Sequence, residues 1–123
     1  MSAQKTDQEY VEQAVGNYVS GMVFADEALL RRTFHPDCRI VGHYNGALEW
    51  LSLDDFIDAI KTEGPASEGY SPFWEIQNLD ITGDSAAVKV RDHYIGLQFT
   101  DYLSLLKVYA DWVIVHKLYY AHD

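Results

Sequence analysis

Three side chains in this sequence are of the types from which acid/base chemistry is built: Asp92, Asp101 and His116. A histidine beside a buried carboxylate is the usual material of general acid/base catalysis, because the carboxylate fixes the imidazole tautomer and stabilises its protonated form. Whether these groups meet depends on strand alternation, which sends successive side chains to opposite faces. In the run 85–94, Lys89 and Arg91 mark the wet face and leave Val88, Val90 and Asp92 on the covered one. In the last run Lys117 marks the wet face, so Trp112, Ile114, His116 and Leu118 fall together on the other. With a two-residue turn between the last two runs, Asp101, Leu103 and Leu105 share the face of His116, and Asp92, Asp101 and His116 are expected to converge. A three-residue turn would invert that pairing. The plainer alternative is that buried Asp and His side chains only satisfy backbone or hydroxyl groups.

The elements that must position these groups can be read in order. Thr6 and Glu9 form a capping box, so a helix starts there. Val11, Ala14, Val15, Tyr18, Val19, Met22 and Val23 recur at three- and four-residue steps, giving one apolar face that carries the helix to about Phe24. Asp26 caps a second, shorter helix with Leu29, Leu30, Thr33 and Phe34 inward, and Pro36 ends it. Runs 39–44 and 47–51 flank Asn45-Gly46, whose residues tolerate the positive φ of a tight hairpin. Ser52 caps a third helix, with Leu51 and Phe56 placed as a staple. The turn-rich stretch 64–72 reads as a connector or a lid. Strands are then expected at 73–81, 85–94, 97–108 and 112–120. Helices followed by meandering strands argue an α+β fold with helices on one face of an antiparallel-rich sheet.

The 123 residues fit one domain, with the first six expected to be loose. A net charge of −10, from 19 acidic against 9 basic residues, repels phosphate backbones and anionic lipid surfaces, so neither nucleic acid nor membrane is expected as a partner. No apolar run approaches the ~20 residues of a bilayer span, and the polar opening has no signal-peptide core, which points to the cytoplasm. The lone Cys38 excludes an internal disulfide and a cysteine zinc cluster, and the five histidines show no metal-ligand spacing. No metal or cofactor is expected. Neither a P-loop nor a dinucleotide fingerprint is present.

The order helix, helix, hairpin, helix and four strands resembles the NTF2-like superfamily from Tyr10 to Lys117, with three N-terminal helices on a curved, antiparallel-rich mixed sheet that forms a cone. The likeness is closest to its putative lumazine-binding branch, through Phe34-His35-Pro36-Asp37, Asp80-Ile81-Thr82-Gly83-Asp84-Ser85-Ala86, Thr100-Asp101-Tyr102-Leu103-Ser104-Leu105-Leu106-Lys107 and Trp112-Val113-Ile114-Val115-His116-Lys117. That branch name implies no established ligand. Ala110 stands where relatives usually carry the hairpin glycine, which implies a looser or different turn.

The resemblance implies an internal ligand pocket and a homodimer formed through the outer sheet face. Within the superfamily, the ketosteroid isomerases need a carboxylate base, a helix-1 tyrosine and a protonated aspartate. Anchored on Phe34, Tyr18 falls at the tyrosine position and Asp101 near the aspartate, but Gly42 occupies the base position, which disfavours steroid-type isomerisation. Apolar patterning puts Val41, His43, Leu48 and Trp50 on one face of the first hairpin, whereas the family comparison turns Gly42 and Tyr44 inward. Tyr18, Tyr44, His43, Tyr102 and Trp50 are accordingly the candidate ligand contacts, and His116, Asp101 and Asp92 the candidate catalytic groups. The function expected is binding of a small organic molecule. The alternatives are a lyase or isomerase using His/Asp acid–base chemistry and a non-catalytic dimeric interaction module.

Overall fold

The computed structural model describes residues 5–122. Most of the opening segment expected to be loose therefore lies outside the described residues, whereas Thr6 is fixed as a helix cap. Its hydroxyl accepts from the Glu9 amide while the Glu9 carboxylate accepts from the Thr6 amide, which completes the capping box and starts α1 (Asp7–Val23). One face of α1 is buried along Val11, Val15, Tyr18, Val19 and Met22. Removing a side chain of this size from water contributes roughly 1.5–3 kcal/mol. α2 (Glu27–Thr33) follows, capped by Asp26. Gly21 lets it approach α1, since a Cβ there would sit 2.9 Å from Leu30 Cδ2. Ser52 caps α3 (Leu53–Glu63), which buries Leu53, Phe56, Ile57 and Ile60.

Six strands form one sheet: β1 (Phe34–Tyr44), β2 (Ala47–Leu51), β3 (Trp74–Thr82), β4 (Ser85–Tyr94), β5 (Leu97–Val108) and β6 (Asp111–His122), in the order β2-β1-β6-β5-β4-β3. All pairings are antiparallel except β1 with β6, which is parallel. Three helices on this mixed sheet make the α+β arrangement expected from the sequence. Asn45 and Gly46 take the positive φ values, 52° and 77°, that their turn requires. The final hairpin turns on Tyr109 and Ala110, and Tyr109 takes the left-handed conformation at φ 58°, which residues with side chains rarely adopt. The Ala66 amide donates to the Val23 carbonyl at 2.9 Å, tying the connector after α3 to the end of α1.

One irregularity in β6 decides what faces the core. Leu105 pairs with Ile114 and Ser104 with His116, so Val115 is the extra residue of a β-bulge. Before the bulge Trp112 and Ile114 point inward; after it Lys117 and Tyr119 do. The simple alternation that assigns His116 and Leu118 to the interior and Lys117 to solvent is thereby corrected. Lys117 is 5% exposed and Leu118 45%.

Candidate functional site

The concave side of the sheet and the helices form a cavity of about 270 Å³, just below the ~300 Å³ at which small-molecule sites usually begin. Its walls are mainly apolar, from Met22, Ile40, Leu51, Phe56, Ile60 and Phe99. Polar groups enter from the sheet: Tyr44 and Glu49 from the first hairpin, Tyr94 at the end of β4, and Lys117 and Tyr119 from β6. Gly42 and Tyr44 turn inward, as the family comparison has it, because Gly42 pairs with Tyr119 on the concave face. A Cβ at Gly42 would lie 2.7 Å from both the Tyr119 ring and its carbonyl oxygen. The aromatic ring of Tyr119 thus fills the space that a carboxylate base at position 42 would need, and the Tyr119 hydroxyl instead donates to Glu49.

Behind the cavity lies a cluster of buried polar side chains. The Tyr18 hydroxyl donates to Asp101 Oδ2 at 2.6 Å with both residues fully buried. Asp92 is a diagonal neighbour of Asp101 on the same face, since Asp101 pairs with Val90 and Asp92 with Phe99. Burial is the main reason the Asp92 carboxyl is pushed up to about 10, and the neighbouring Asp101 carboxylate adds to it while Lys117 opposes it. Neither Asp92 oxygen nor Asp101 Oδ1 has a donor among the described residues. The proton that Asp92 retains is therefore what this pair can place between its own unpaired oxygens. Burial, Asp101 and Asp92 together raise the Tyr18 phenol well above its ordinary value, so it stays a hydroxyl and a donor.

Lys117 links the cluster to the cavity. Its Nζ lies 4.8 Å from the centroid of Tyr18, 4.7 Å from that of Phe56 and 5.5 Å from that of Tyr119, within cation–π range of all three. Among the described residues the one hydrogen bond it makes is to the Met22 sulfur at 3.8 Å, a weak acceptor.

The sequence-predicted groups divide accordingly. Asp92, Asp101 and Tyr18 come together, and Tyr44 lines the cavity. His116 does not join them: it sits opposite Ser104 and Arg39 on the convex face, on the far side of the sheet from Asp101, for the reason the bulge supplies. His43, Trp50 and Tyr102 are also on that convex face and exposed, so the shared apolar face of Val41, His43, Leu48 and Trp50 is real but outward. Tyr102 borders a shallow groove with Lys89, Arg91, Thr100, Tyr120 and His122. Alternation missed Lys117, because a lysine read as a wet-face marker hides a buried one. It missed Tyr94, Tyr119 and Glu49 for want of a signal beyond strand parity. Among the described residues no three His, Cys, Asp or Glu side chains gather closely enough to hold a metal ion, and no helix is long and apolar enough to cross a membrane.

Comparison with known proteins agrees with this architecture. The model of the family described as Putative lumazine-binding matches residues 6–120. The crystal structure of an NTF2-like protein of unknown function from Silicibacter pomeroyi is 32% identical, covers 96% of this chain and 100% of its own, and superposes with a TM-score of 0.89. A second, from Shewanella baltica, is 28% identical, covers 98% of this chain and 99% of its own, and superposes with a TM-score of 0.82. An aldolase of a Cladobotryum species, FrzH, is 25% identical over 107 residues, 85% of this chain and 83% of its own. Matched over nearly its whole length by the family model, and folded like these relatives, the chain belongs to the Putative lumazine-binding family of the NTF2-like superfamily.

Proposed function

We propose that this protein binds a small organic molecule in the cavity between α1, α3 and the concave face of the sheet. The observation that carries the reading is the cavity itself: apolar walls with a few polar groups converging on one space, which is the usual make-up of a ligand site. The family's description supports it. Naphthalene, a flat probe smaller than the cavity, tests it by saturation-transfer NMR. Transfer to naphthalene that disappears in Ala59→Trp, a plug at the exposed cavity rim, supports the reading. Absence of transfer, or transfer that the plug leaves intact, overturns it.

A second reading, acid/base catalysis by a lyase or isomerase, rests on the Tyr18–Asp101–Asp92 cluster and on the aldolase among the relatives. In that reading a developing oxyanion takes the hydrogen bond that the Tyr18 hydroxyl otherwise gives Asp101, and the Asp101 carboxylate so released accepts the proton from the carbon next to the carbonyl. His116 takes no part, being on the other face. Its test is exchange of the hydrogens next to the carbonyl of 2-tetralone in D₂O, followed by NMR. Exchange above the buffer rate that Asp101→Asn abolishes supports it, and exchange equal in both proteins removes it.

The convex face suits a second copy of the chain. Leu48, Trp50, Tyr102, Leu118 and Tyr120 are exposed there on adjacent strands, a larger apolar surface than single exposed residues would give.

A further inference from the structure

Lys117 is a buried amine without an anionic partner. Among the described residues no carboxylate lies within ion-pair distance of its Nζ, although buried charges are ordinarily paired. The ring faces of Tyr18, Phe56 and Tyr119 and the Met22 sulfur surround the nitrogen instead. Met22, Phe56 and Tyr119 are walls of the cavity, as is Lys117 itself, so the nitrogen belongs to the cavity lining. A methionine or leucine would fill this position without the cost of taking an amine out of water. The fold therefore gives no reason for a lysine here, and exceptions of this kind gather at functional sites.

A lysine without an ion pair has two chemical uses, as a fixed charge for an anion and as a nucleophile for a carbonyl carbon. Glu49 and Glu63 border the cavity and oppose the entry of an anion, and the other walls are mainly apolar. That leaves the nucleophile and a neutral guest. Condensation of the ammonium with an aldehyde or ketone balances simply. One proton passes from Nζ to solvent, the nitrogen lone pair adds to the carbonyl carbon, and the carbon–oxygen bond then breaks. Two of the three Nζ hydrogens are replaced by the new carbon–nitrogen double bond, and their equivalent leaves with the oxygen as water. The third remains on the iminium nitrogen. The positive charge is the same before and after, and the three ring faces that hold the ammonium also hold the iminium.

We propose that Lys117 is a nucleophile that forms a Schiff base with a neutral aldehyde or ketone of flat, apolar body seated in the cavity. The proposal rests on the cavity reading above and adds a covalent step that neither reading contains. In the acid/base reading the electrons of the reacting carbonyl come to rest on oxygen, whereas in the Lys117 adduct they come to rest on nitrogen.

The test is reductive trapping. Wild-type protein is incubated with limiting 2-naphthaldehyde and sodium cyanoborohydride, which reduces the iminium to a stable secondary amine, and the modified lysines are located by peptide mass spectrometry. Binding of the aldehyde beside the amine raises its effective concentration, so Lys117 is expected to be labelled about tenfold or more faster than the exposed Lys5 and Lys61. Ala59→Trp, the plug at the rim, is expected to abolish the label on Lys117 and to leave those on Lys5 and Lys61. Lys117→Met is expected to keep only the surface labels, and the plug decides the matter if that variant does not fold. Labelling of Lys117 no faster than that of Lys5 and Lys61, or labelling that the plug leaves unchanged, overturns the proposal. The cavity reading survives that result when naphthalene still shows transfer that the plug removes. If naphthalene shows no transfer and Lys117 no preferred label, both fall.

Discussion

Replacing Asp92 by asparagine should make the protein more stable near neutral pH, by an amount that grows with pH. The folded protein holds a proton on Asp92 up to about 10, whereas the unfolded chain releases it near the ordinary aspartate value of 3.8. Between those values the native state binds more protons than the unfolded state, so unfolding free energy falls as pH rises. The contribution is fully present below 3.8 and is lost progressively up to about 10. From 3.8 to pH 7 is about 3 pH steps at roughly 1.4 kcal/mol each, or about 4 kcal/mol. Asparagine has the shape of the protonated acid, carries donor hydrogens as that acid does, and carries no such pH cost. The gain of about 4 kcal/mol is a ceiling, reached when the amide reproduces the carboxyl's contacts in full. Urea unfolding of both proteins at pH 4.5, 6 and 7.5 reads the difference directly, and other titrating groups cancel in the comparison. The expected difference is small at pH 4.5 and rises by up to about 1.4 kcal/mol per pH unit. A difference independent of pH, or one that shrinks as pH rises, would refute the protonated Asp92.

Three further outcomes follow from the same geometry. Tyr18→Phe leaves Asp101 Oδ2 without its donor in a fully buried place, and urea unfolding should show a loss of roughly 1.5–3 kcal/mol. Gly42→Ala puts a methyl group 2.7 Å from the Tyr119 ring and carbonyl oxygen; a loss of about 1–3 kcal/mol in melting experiments is expected, and an unchanged melting temperature would contradict the close packing. Leu118→Glu places a charge in the middle of the exposed apolar area between Val41 and Tyr102. Sedimentation velocity should show a dimeric wild-type protein and a monomeric variant, whereas a wild-type monomer would contradict the pairing of convex faces.

The parts of the fold that were legible in the sequence are those set by neighbours along the chain. The Thr6–Glu9 box, the Asp26 and Ser52 caps and the Asn45-Gly46 turn each depend on groups within three residues of one another, and all were readable without tertiary information. Strand parity carried Asp92 and Asp101 correctly because β4 and β5 pair without interruption from Ser85 to Tyr94. It failed for His116 because the bulge arises where β6 leaves its regular pairing with β5, and no residue type at Val115 announces it. It also misled at the first hairpin. There the outward residues Leu48 and Trp50 are more apolar than the inward Glu49, so the rule that apolar side chains face the core picks the wrong side. The cavity's polar groups were hidden for the same reason: a buried lysine held by aromatic rings looks, in one dimension, like a solvated one.

The bulge also governs how this chain may be compared with its relatives. It works as a phase boundary in β6: upstream of Val115 the even-numbered positions face the cavity side, and downstream the odd-numbered ones do. A relative whose last strand runs without the extra residue presents its cavity groups one position earlier in its own count. An ungapped alignment would then set that relative's interior residue beside His116, while its spatial counterpart here is Lys117. Placing the gap at Val115 restores the correspondence and sets Lys117, not His116, beside that relative's interior residue.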